Sequence, residues 1–382
     1  MLSKTPLVSI VIATYNRYEY LYDCVDSIRS IDSDDLEIII QDNTEDNKAF
    51  AEYISSLNDD RIKYSHKKEH VSVVDNYDMG IIRATGDYVC LIGDDDSICS
   101  NILKAASYLK ENNIEGCTFP FPGFYWPDMN FKKGEKKLNL FYRFNVDGSV
   151  FDIDAKKELL KGGCRGSLSD YMPRLYHAMV SRNCLERIYK KTGTYFPGPS
   201  PDMANAVSVC LEIDKAVYIN DNLIISGYGN ASARGQSKRG QHFGKIEDMP
   251  WLPKDTKENW DKNLPPIFSG ETIFAQSAIS ALKKMNTDKN KFQFDYTSVY
   301  ANFFYQHKAT RLEFLKFISL SPRRTLWFVQ GVYSKVVRRI IKRVKVEPTY
   351  KELYDIATLM EAKEITEQIS ENIQYKRINN NG

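Results

Sequence analysis

Leu7 to Ala13 (LVSIVIA) is almost unbroken in apolar residues, the pattern of a strand buried on both faces. Thr14-Tyr15-Asn16-Arg17 ends it, and Leu21, Cys24, Val25 and Ile28 follow at helical spacing. Glu37 to Gln41 (EIIIQ) predicts a second strand, closed by Asp42-Asn43. A helix over 47–57 and a short third strand over 61–64 come next. Val74, Tyr77 and Ile81 predict a helix that reaches Ala84 and stops at Gly86. Tyr88 to Ile92 (YVCLI) is a fourth strand that runs straight into Gly93-Asp94-Asp95-Asp96. Ile98, Ile102, Ala105, Ala106 and Leu109 give the next helix, and Cys117 to Phe119 a fifth strand.

Strands and helices that alternate with short connections predict an α/β fold. Its sheet is mostly parallel and has helices on both faces. Ligands of such sheets sit beyond the carboxyl ends of the strands. Thr14–Arg17, Asp42-Asn43 and Asp94–Asp96 all follow strand ends, so three strands deliver polar residues to one edge. Beyond residue 120 the pattern weakens, and 120–150 reads as an excursion rich in Phe, Pro and Lys. Leu175 to Ile188 predicts a helix. Tyr195 to Pro201 is a Pro/Gly turn, with Asp202 in front of the helical pattern Met203, Ala206, Val207 and Cys210. Two short strands, 217–219 and 223–225, lead to a Gly/Ser/Arg/Lys loop over 226–244, and from about Pro265 the chain reads as helices.

Composition adds limits. The formal charge of +2 gives no global field for nucleic acid. The seven cysteines are odd in number and contain no C-x-x-C pair, which predicts buried free thiols in a reducing cytosol. Met1 to Pro6 shows no charged-then-apolar leader, and no apolar run approaches the roughly 18 residues of a membrane span. The expected location is cytoplasmic.

Three adjacent carboxylates at the end of a buried strand repel one another unless a cation offsets them. Oxygen ligands of this kind suit Mg²⁺ or Mn²⁺ bridging to phosphates, and an acidic turn that starts a helix is the competing reading. Asp42 is placed to accept hydrogen bonds from a base or a ribose, or is a turn residue. Asp202 reads as a helix N-cap. His242 lies in a basic loop with Arg234, Lys238 and Arg239, which suits either a lid over a diphosphate or an exposed loop. His177 is a secondary candidate in an apolar context. Gly227-Tyr228-Gly229 lacks the third glycine of a dinucleotide fingerprint.

The stretches PLVSIVIATYNRYEYLYDCVDSI, EIIIQDN and NYDMGIIRATGDYVCLIGDDDSI, in this order, resemble family 2 glycosyltransferases of the GT-A fold over roughly the first third of the chain. The resemblance implies an inverting transfer of sugar from a nucleotide diphosphate sugar, most often a UDP-sugar, to a hydroxyl. The acceptor would be a glycan or lipid-linked glycan in the assembly of a bacterial surface polysaccharide. It implies that Thr14, Tyr15, Asn16 and Arg17 form the nucleotide-binding turn and that Asp42 reads the base. Asn76 and Arg83 belong to the segment closing over the nucleotide. Gly93–Asp96 stands at the family's DxD position, with Gly93 where many relatives carry Asp. Asp95 is then the direct metal ligand, joined by Asp96, and Asp94 and Asp96 support the ribose, the sugar or the metal's water. Ser200-Pro201-Asp202 resembles the later motif that holds the catalytic base, although Pro201 replaces the common Glu.

These readings divide the chain into a GT-A domain (1–230), a mobile lid or linker (231–264) and a helical C-terminal region (265–382). Within the last, 326–345 forms a basic amphipathic helix. Val329, Tyr333, Val336, Val337, Ile340, Ile341 and Val344 share one face, and Lys335, Arg338, Arg339, Lys342, Arg343 and Lys345 the other. Such a helix either lies on an anionic membrane or packs on the protein with its basic face in water. Two other functions compete. A nucleotidyltransferase needs a basic Gly-rich loop after the first strand, where TYNRYEY stands instead. A non-catalytic sugar- or nucleotide-binding module does not need the acidic triplet together with Asp202.

Overall fold

The computed structural model describes residues 5–130, 139–143, 145–232, 242–285, 291–342 and 350–378. The N-terminal alternation holds: β1 (Val8–Thr14), α1 (Tyr18–Arg29), β2 (Leu36–Asp42), α2 (Lys48–Ser56), β3 (Ile62–His66), α3 (Val73–Arg83) and β4 (Tyr88–Ile92). β1 pairs in parallel with both β2 and β4, and β2 with β3. The apolar runs arise because these strands are covered twice. Ile10 and Ile12 enter the core beneath α1, while Val11 enters the core on the side of α3.

Further along come β5 (Ser97–Ile98), α4 (Asn101–Glu111), β6 (Gly116–Thr118), β7 (Gly123–Tyr125), β8 (Leu140–Arg143), β9 (Ser149–Ile153) and α5 (Ala155–Lys161). They are followed by β10 (Met179–Ser181), α6 (Arg182–Thr192), α7 (Pro201–Glu212), β11 (Ala216–Ile219) and β12 (Ile224–Tyr228). The C-terminal third holds α8 (Gly270–Lys284), α9 (Tyr296–Gln306), α10 (Arg311–Ser319), α11 (Pro322–Lys342), β13 (Tyr350–Leu353), α12 (Leu359–Ser370) and β14 (Lys376–Arg377). The main sheet runs β14-β9-β11-β6-β10-β4-β1-β2-β3, and a smaller one β13-β8-β7-β12-β5.

Several expectations need correction. The helix expected over 175–188 begins only at Arg182, with the Ser181 hydroxyl capping Cys184 N. Met179–Ser181 is instead a strand lying antiparallel between β4 and β6. The apolar run Ala178-Met179-Val180 fits either period, and the gap between β4 and β6 decides. Ser97-Ile98 is a strand, so α4 starts at Asn101. The 120–150 excursion contributes β7 and β8 to the smaller sheet, and Ser226–Tyr228 belongs to β12 rather than to a loop. The C-terminal region is mainly helical, yet β13 and β14 each extend a sheet. α12 returns to the N-terminal half, where Lys363 Nζ donates to Ser30 Oγ (3.0 Å) and Glu367 Oε1 accepts from Ser100 N (2.7 Å). All seven cysteines are buried and free, and no described helix is long and apolar enough to cross a membrane.

One buried carboxylate ties the parallel strands together. Glu37 Oε1 accepts from Ser9 Oγ (2.5 Å), Thr85 N (2.5 Å) and Gly86 N (3.1 Å), and Oε2 accepts from Thr85 Oγ1 (2.9 Å) and from the Lys63 ammonium. Burial pushes its pKa up, but Lys63, Ser9 and Thr85 together hold it below the usual carboxylate value. A lowered folded-state value adds stability above the ordinary carboxylate pKa, and this stability is lost as pH falls through the folded value. Glu37→Gln therefore costs about 1–3 kcal/mol at neutral pH, because its amide cannot accept from every donor. The gap to wild type should narrow in acid. Urea unfolding at neutral and acidic pH measures both, and a gap independent of pH would remove the charge from the account.

Candidate active site

β4 is wholly buried, so the turn that follows it cannot turn away to solvent. Beyond the turn, β5 pairs with β12 of the smaller sheet. Asp94, Asp95 and Asp96 are thus clamped between the two sheets and are all buried. Each finds different partners. Asp96 Oδ2 accepts from Gly93 N (2.5 Å) and lies 2.6 Å from His177 Nε2, while Oδ1 accepts from Gly227 N (2.7 Å). Asp95 Oδ2 accepts from Gly229 N (3.3 Å), and its backbone carbonyl accepts from Trp126 Nε1 (3.0 Å). A Cβ on Gly227 would stand 1.8 Å from that carbonyl, so only glycine lets β12 run this close. Asp94 Oδ2 accepts from Thr14 Oγ1 (2.7 Å) at the end of β1.

Arg17 completes the cluster. Its Nη2 is 2.8 Å from Asp94 Oδ1 and 2.9 Å from Asp95 Oδ1. Nε and Nη2 are nevertheless buried without a well-directed hydrogen bond, so the guanidinium is held there by charge. Burial alone would lower its pKa, but Asp94 and Asp95 raise it well above the ordinary value. Burial raises the pKa of both Asp94 and Asp95, and Arg17 offsets this only in part. Asp96 behaves oppositely. Burial works against its charge, yet His177 and the N–H groups of Gly227 and Gly93 hold it below the usual range.

Asp202 comes from another element. It occupies the second position of α7, after Pro201, and Ser200 is the N-cap residue. The expectation that Asp202 is the cap is therefore wrong: Pro201 takes the first helical position and moves the boundary back by two residues. Its carboxyl pKa is raised by burial and by Asp96, and is restrained by His177 and Arg174. His177 thus stands electrostatically between Asp96 and Asp202. It is held at a positive φ of 54°, with N bonded to Leu91 O (3.0 Å) and its ring stacked on Tyr176 at 4.1 Å.

The other predicted residues divide. Asn16, also at positive φ (55°), donates its N–H to Thr44 Oγ1 (2.9 Å). Asp42 lies at the same edge, but its carboxylate is enclosed. It accepts from Thr44 N (2.8 Å), Tyr18 OH (2.5 Å) and Tyr64 OH (2.7 Å), and so supports the Thr14–Arg17 turn from behind. Asn76 Nδ2 donates to Thr14 O (3.2 Å), which leaves its Oδ1 buried without a partner at the site. Tyr15 is exposed and meets His70 edge-on. Arg83 does not join them. It lies about 10 Å further along the α3 axis from Asn76, and lines a groove of about 530 Å³ with Gln41, Ser65 and Lys67. His242 is packed between Trp251 and Phe268, with burial lowering its pKa. Arg234, Lys238 and Arg239 lie outside the described residues.

Among the described residues no three His, Cys, Asp or Glu side chains converge as a metal-ligand set. Two carboxylate oxygens do converge, Asp94 Oδ1 and Asp95 Oδ1, on the point where Arg17 Nη2 sits. That pair suits a hard divalent cation taking the place of the guanidinium. Asp96 does not turn toward that point, since both its oxygens are engaged elsewhere. Sequence reasoning missed Gly227, Gly229, Trp126 and Tyr176. The paired glycines after a strand were the available signal, read there only against a dinucleotide motif.

Residues 9–156 match the family model described as Glycosyl transferase family 2. Glycosyltransferase GlyG of Streptococcus pneumoniae is 23% identical over 57% of this chain and 70% of its own length. The GalNAc(5)-diNAcBac-PP-undecaprenol beta-1,3-glucosyltransferase of Campylobacter jejuni is 33% identical over 40% of this chain, and the chain spans 47% of that relative. The putative colanic acid biosynthesis glycosyl transferase WcaA of Escherichia coli is 30% identical over 39% of this chain and 57% of its own length. The fold resembles the crystal structure of S. aureus TarS 1-349 in complex with UDP-GlcNAc. The TM-score is 0.53 at 13% identity, over 92% of this chain and 98% of that one.

The unequal electrostatics of the triplet predict mutations of opposite sign. Asp96→Asn puts an amide NH₂ against donors and should lower stability by about 1–3 kcal/mol. Asp95→Asn removes one of two poorly compensated buried charges and should leave the melting temperature unchanged or raised. Calorimetry on the two variants checks this, and equal losses would show that the three carboxylates are equivalent.

Proposed function

We propose that this chain, whose residues 9–156 match the family model described as Glycosyl transferase family 2, is a member of that family that moves a sugar from a nucleoside diphosphate sugar to a hydroxyl acceptor with inversion, and that Asp202 is the base. The observation that carries the reading is the meeting of two kinds of carboxylate at one strand edge. Asp94 and Asp95 share a single cation position, and Asp202 stands apart from them on α7 with a raised pKa. Asp94 and Asp95 would hold Mn²⁺ or Mg²⁺, which supplies Lewis-acid charge for the departing diphosphate.

The chain's own groups have separate tasks. Thr14 orients Asp94, and Asn76 offers a free carbonyl oxygen to the nucleoside side. Arg17, displaced from between the carboxylates, remains a positive charge for the phosphates. Asp202 accepts the acceptor's hydroxyl proton as that oxygen attacks the anomeric carbon and the bond to the diphosphate oxygen breaks. Burial and Asp96 raise its pKa, which strengthens the base, and His177 and Arg174 act against the rise. Asp96 acts indirectly by fixing the His177 ring. The donor side falls within 1–230, with 231–264 and 265–382 added to it. A UDP-sugar donor rests on the family resemblance, and a glycan or lipid-linked glycan acceptor is supported by the names of the Campylobacter jejuni and Escherichia coli relatives.

Asp202→Asn keeps the side chain's size but cannot take a proton. Release of nucleoside diphosphate at saturating acceptor should fall by roughly a hundredfold or more. Donor affinity by titration calorimetry should stay near wild type, and EDTA should abolish turnover of the wild-type enzyme. Near-normal turnover in Asp202→Asn would dismiss it as the base, and full activity in EDTA would dismiss the metal.

A further inference from the structure

α11 packs on α9 with an unexpected side. Its inward residues are Arg324, Trp327, Phe328, Gly331 and Lys335. Trp327 stacks on Tyr296 (4.5 Å), Phe328 meets Phe304 (5.1 Å), and Lys335 Nζ donates to Asn302 Oδ1 (2.7 Å). A Cβ on Gly331 would come within 2.0 Å of Thr297 O, so this glycine sets the close approach of the two helices. Of the apolar stripe that periodicity marks for burial, Val329, Tyr333 and Val336 face solvent instead and Val337 is half-buried, while the side chains of Ile340, Ile341 and Val344 lie outside the described ones. Leu326, Val329, Tyr333 and Val336 recur at helical spacing and are all exposed, Tyr333 at 72%. Leu320, just before the helix, is 80% exposed. Leaving four such side chains in water forgoes roughly 1.5–3 kcal/mol each, so a contiguous stripe of this kind marks a contact surface.

The surrounding charge identifies what covers it. Between Phe314 and Val346 there are nine Lys or Arg and no Asp or Glu, while the whole chain carries only +2. The rest of the protein is therefore net negative and this segment net positive, although two of its cations, Arg324 and Lys335, turn inward to Lys262 O and Asn302. A second copy docked stripe to stripe would bring the same positive charge against itself. We propose that this face of α11 seats the protein on an anionic lipid surface. The stripe enters the acyl boundary, and the exposed Lys316 of α10 and Arg323 at the start of α11, whose guanidinium lies 4.8 Å over the Trp327 ring, supply cations for the headgroups. Tyr333 has an apolar ring and a polar tip, which suits that interface. The proposal holds independently of the transferase reading.

The test is co-sedimentation of the full chain with phosphatidylcholine vesicles, with and without phosphatidylglycerol, at low and high salt. Wild type should sediment with the anionic vesicles only, and salt should weaken the binding. Leu326→Ser with Val329→Ser and Tyr333→Ser should reduce partitioning about tenfold or more, with an unchanged melting temperature since these side chains face water. Lys316→Glu with Arg323→Glu should reduce it similarly without touching the stripe. Three results would overturn the proposal: no binding to anionic vesicles at low salt, equal binding to both compositions, or a wild-type dimer by light scattering that the serine variant dissociates while vesicle binding is unaltered.

Discussion

Three consecutive carboxylates buried at the end of a hydrophobic strand are the constraint around which this molecule is arranged. A buried charge is tolerated only where other charges and donors surround it. The partners come from far along the chain: Thr14 and Arg17 from the end of β1, His177 from the segment before β10, and the N–H groups of Gly227 and Gly229 at β12 and just beyond it. β12 belongs to the smaller sheet and β4 to the larger. Compensation of the triplet is thus also the joint between the two sheets. The same demand explains Gly227, since a side chain there would push the donor strand off the carboxylates.

Within the triplet the compensation is unequal, and the inequality assigns roles. Asp96 is satisfied by directed donors and by His177, which is what a residue needs in order to fix another's position. Asp94 and Asp95 are balanced mainly by a guanidinium that sits between them without proper hydrogen-bond direction. A cation held by charge more than by direction is one that another cation can displace. Asp202 reports on the same field from the other side, because burial and then Asp96 push its pKa up while His177 and Arg174 pull it down. The site is one electrostatic unit, and no member's ionisation is set by its own surroundings alone.

Most of the N-terminal fold was legible because doubly covered strands are written as apolar runs, and β1 to β4 fell within a residue or two of expectation. Convergence of Thr14, Arg17 and the triplet was legible for the same reason, since strand ends fix an edge. Partnership was not. Asp42 reads in sequence as an acceptor for a base or ribose or as a turn residue, and its bond from Thr44 N fits the turn, while Tyr18 and Tyr64, 24 and 22 residues away, fill the rest of the carboxylate. Arg83 lies only seven residues from Asn76 but leaves the site, because α3 runs away from the edge that Asn76 serves. Met179–Ser181 failed as a helix since the apolar run Ala178-Met179-Val180 is too short to carry a period of its own.

α11 shows the same limit in another form. Periodicity correctly finds that one side of the helix is aliphatic and continuous, and the usual inference is that this side faces the core. Side-chain shape overrules it. Trp327 and Phe328 offer flat rings to the aromatic surface of Tyr296 and Phe304, and Gly331 allows the backbones to close. Leu326, Val329, Tyr333 and Val336 are left outward. Lys335 shows how a basic residue can lie on the inner face: its ammonium reaches Asn302 and sits 4.9 Å from the centre of the Tyr305 ring. An amphipathic pattern therefore states that a helix has two unlike faces. Which of them meets the protein is decided by the partner helix, and here α9 selects the aromatic one.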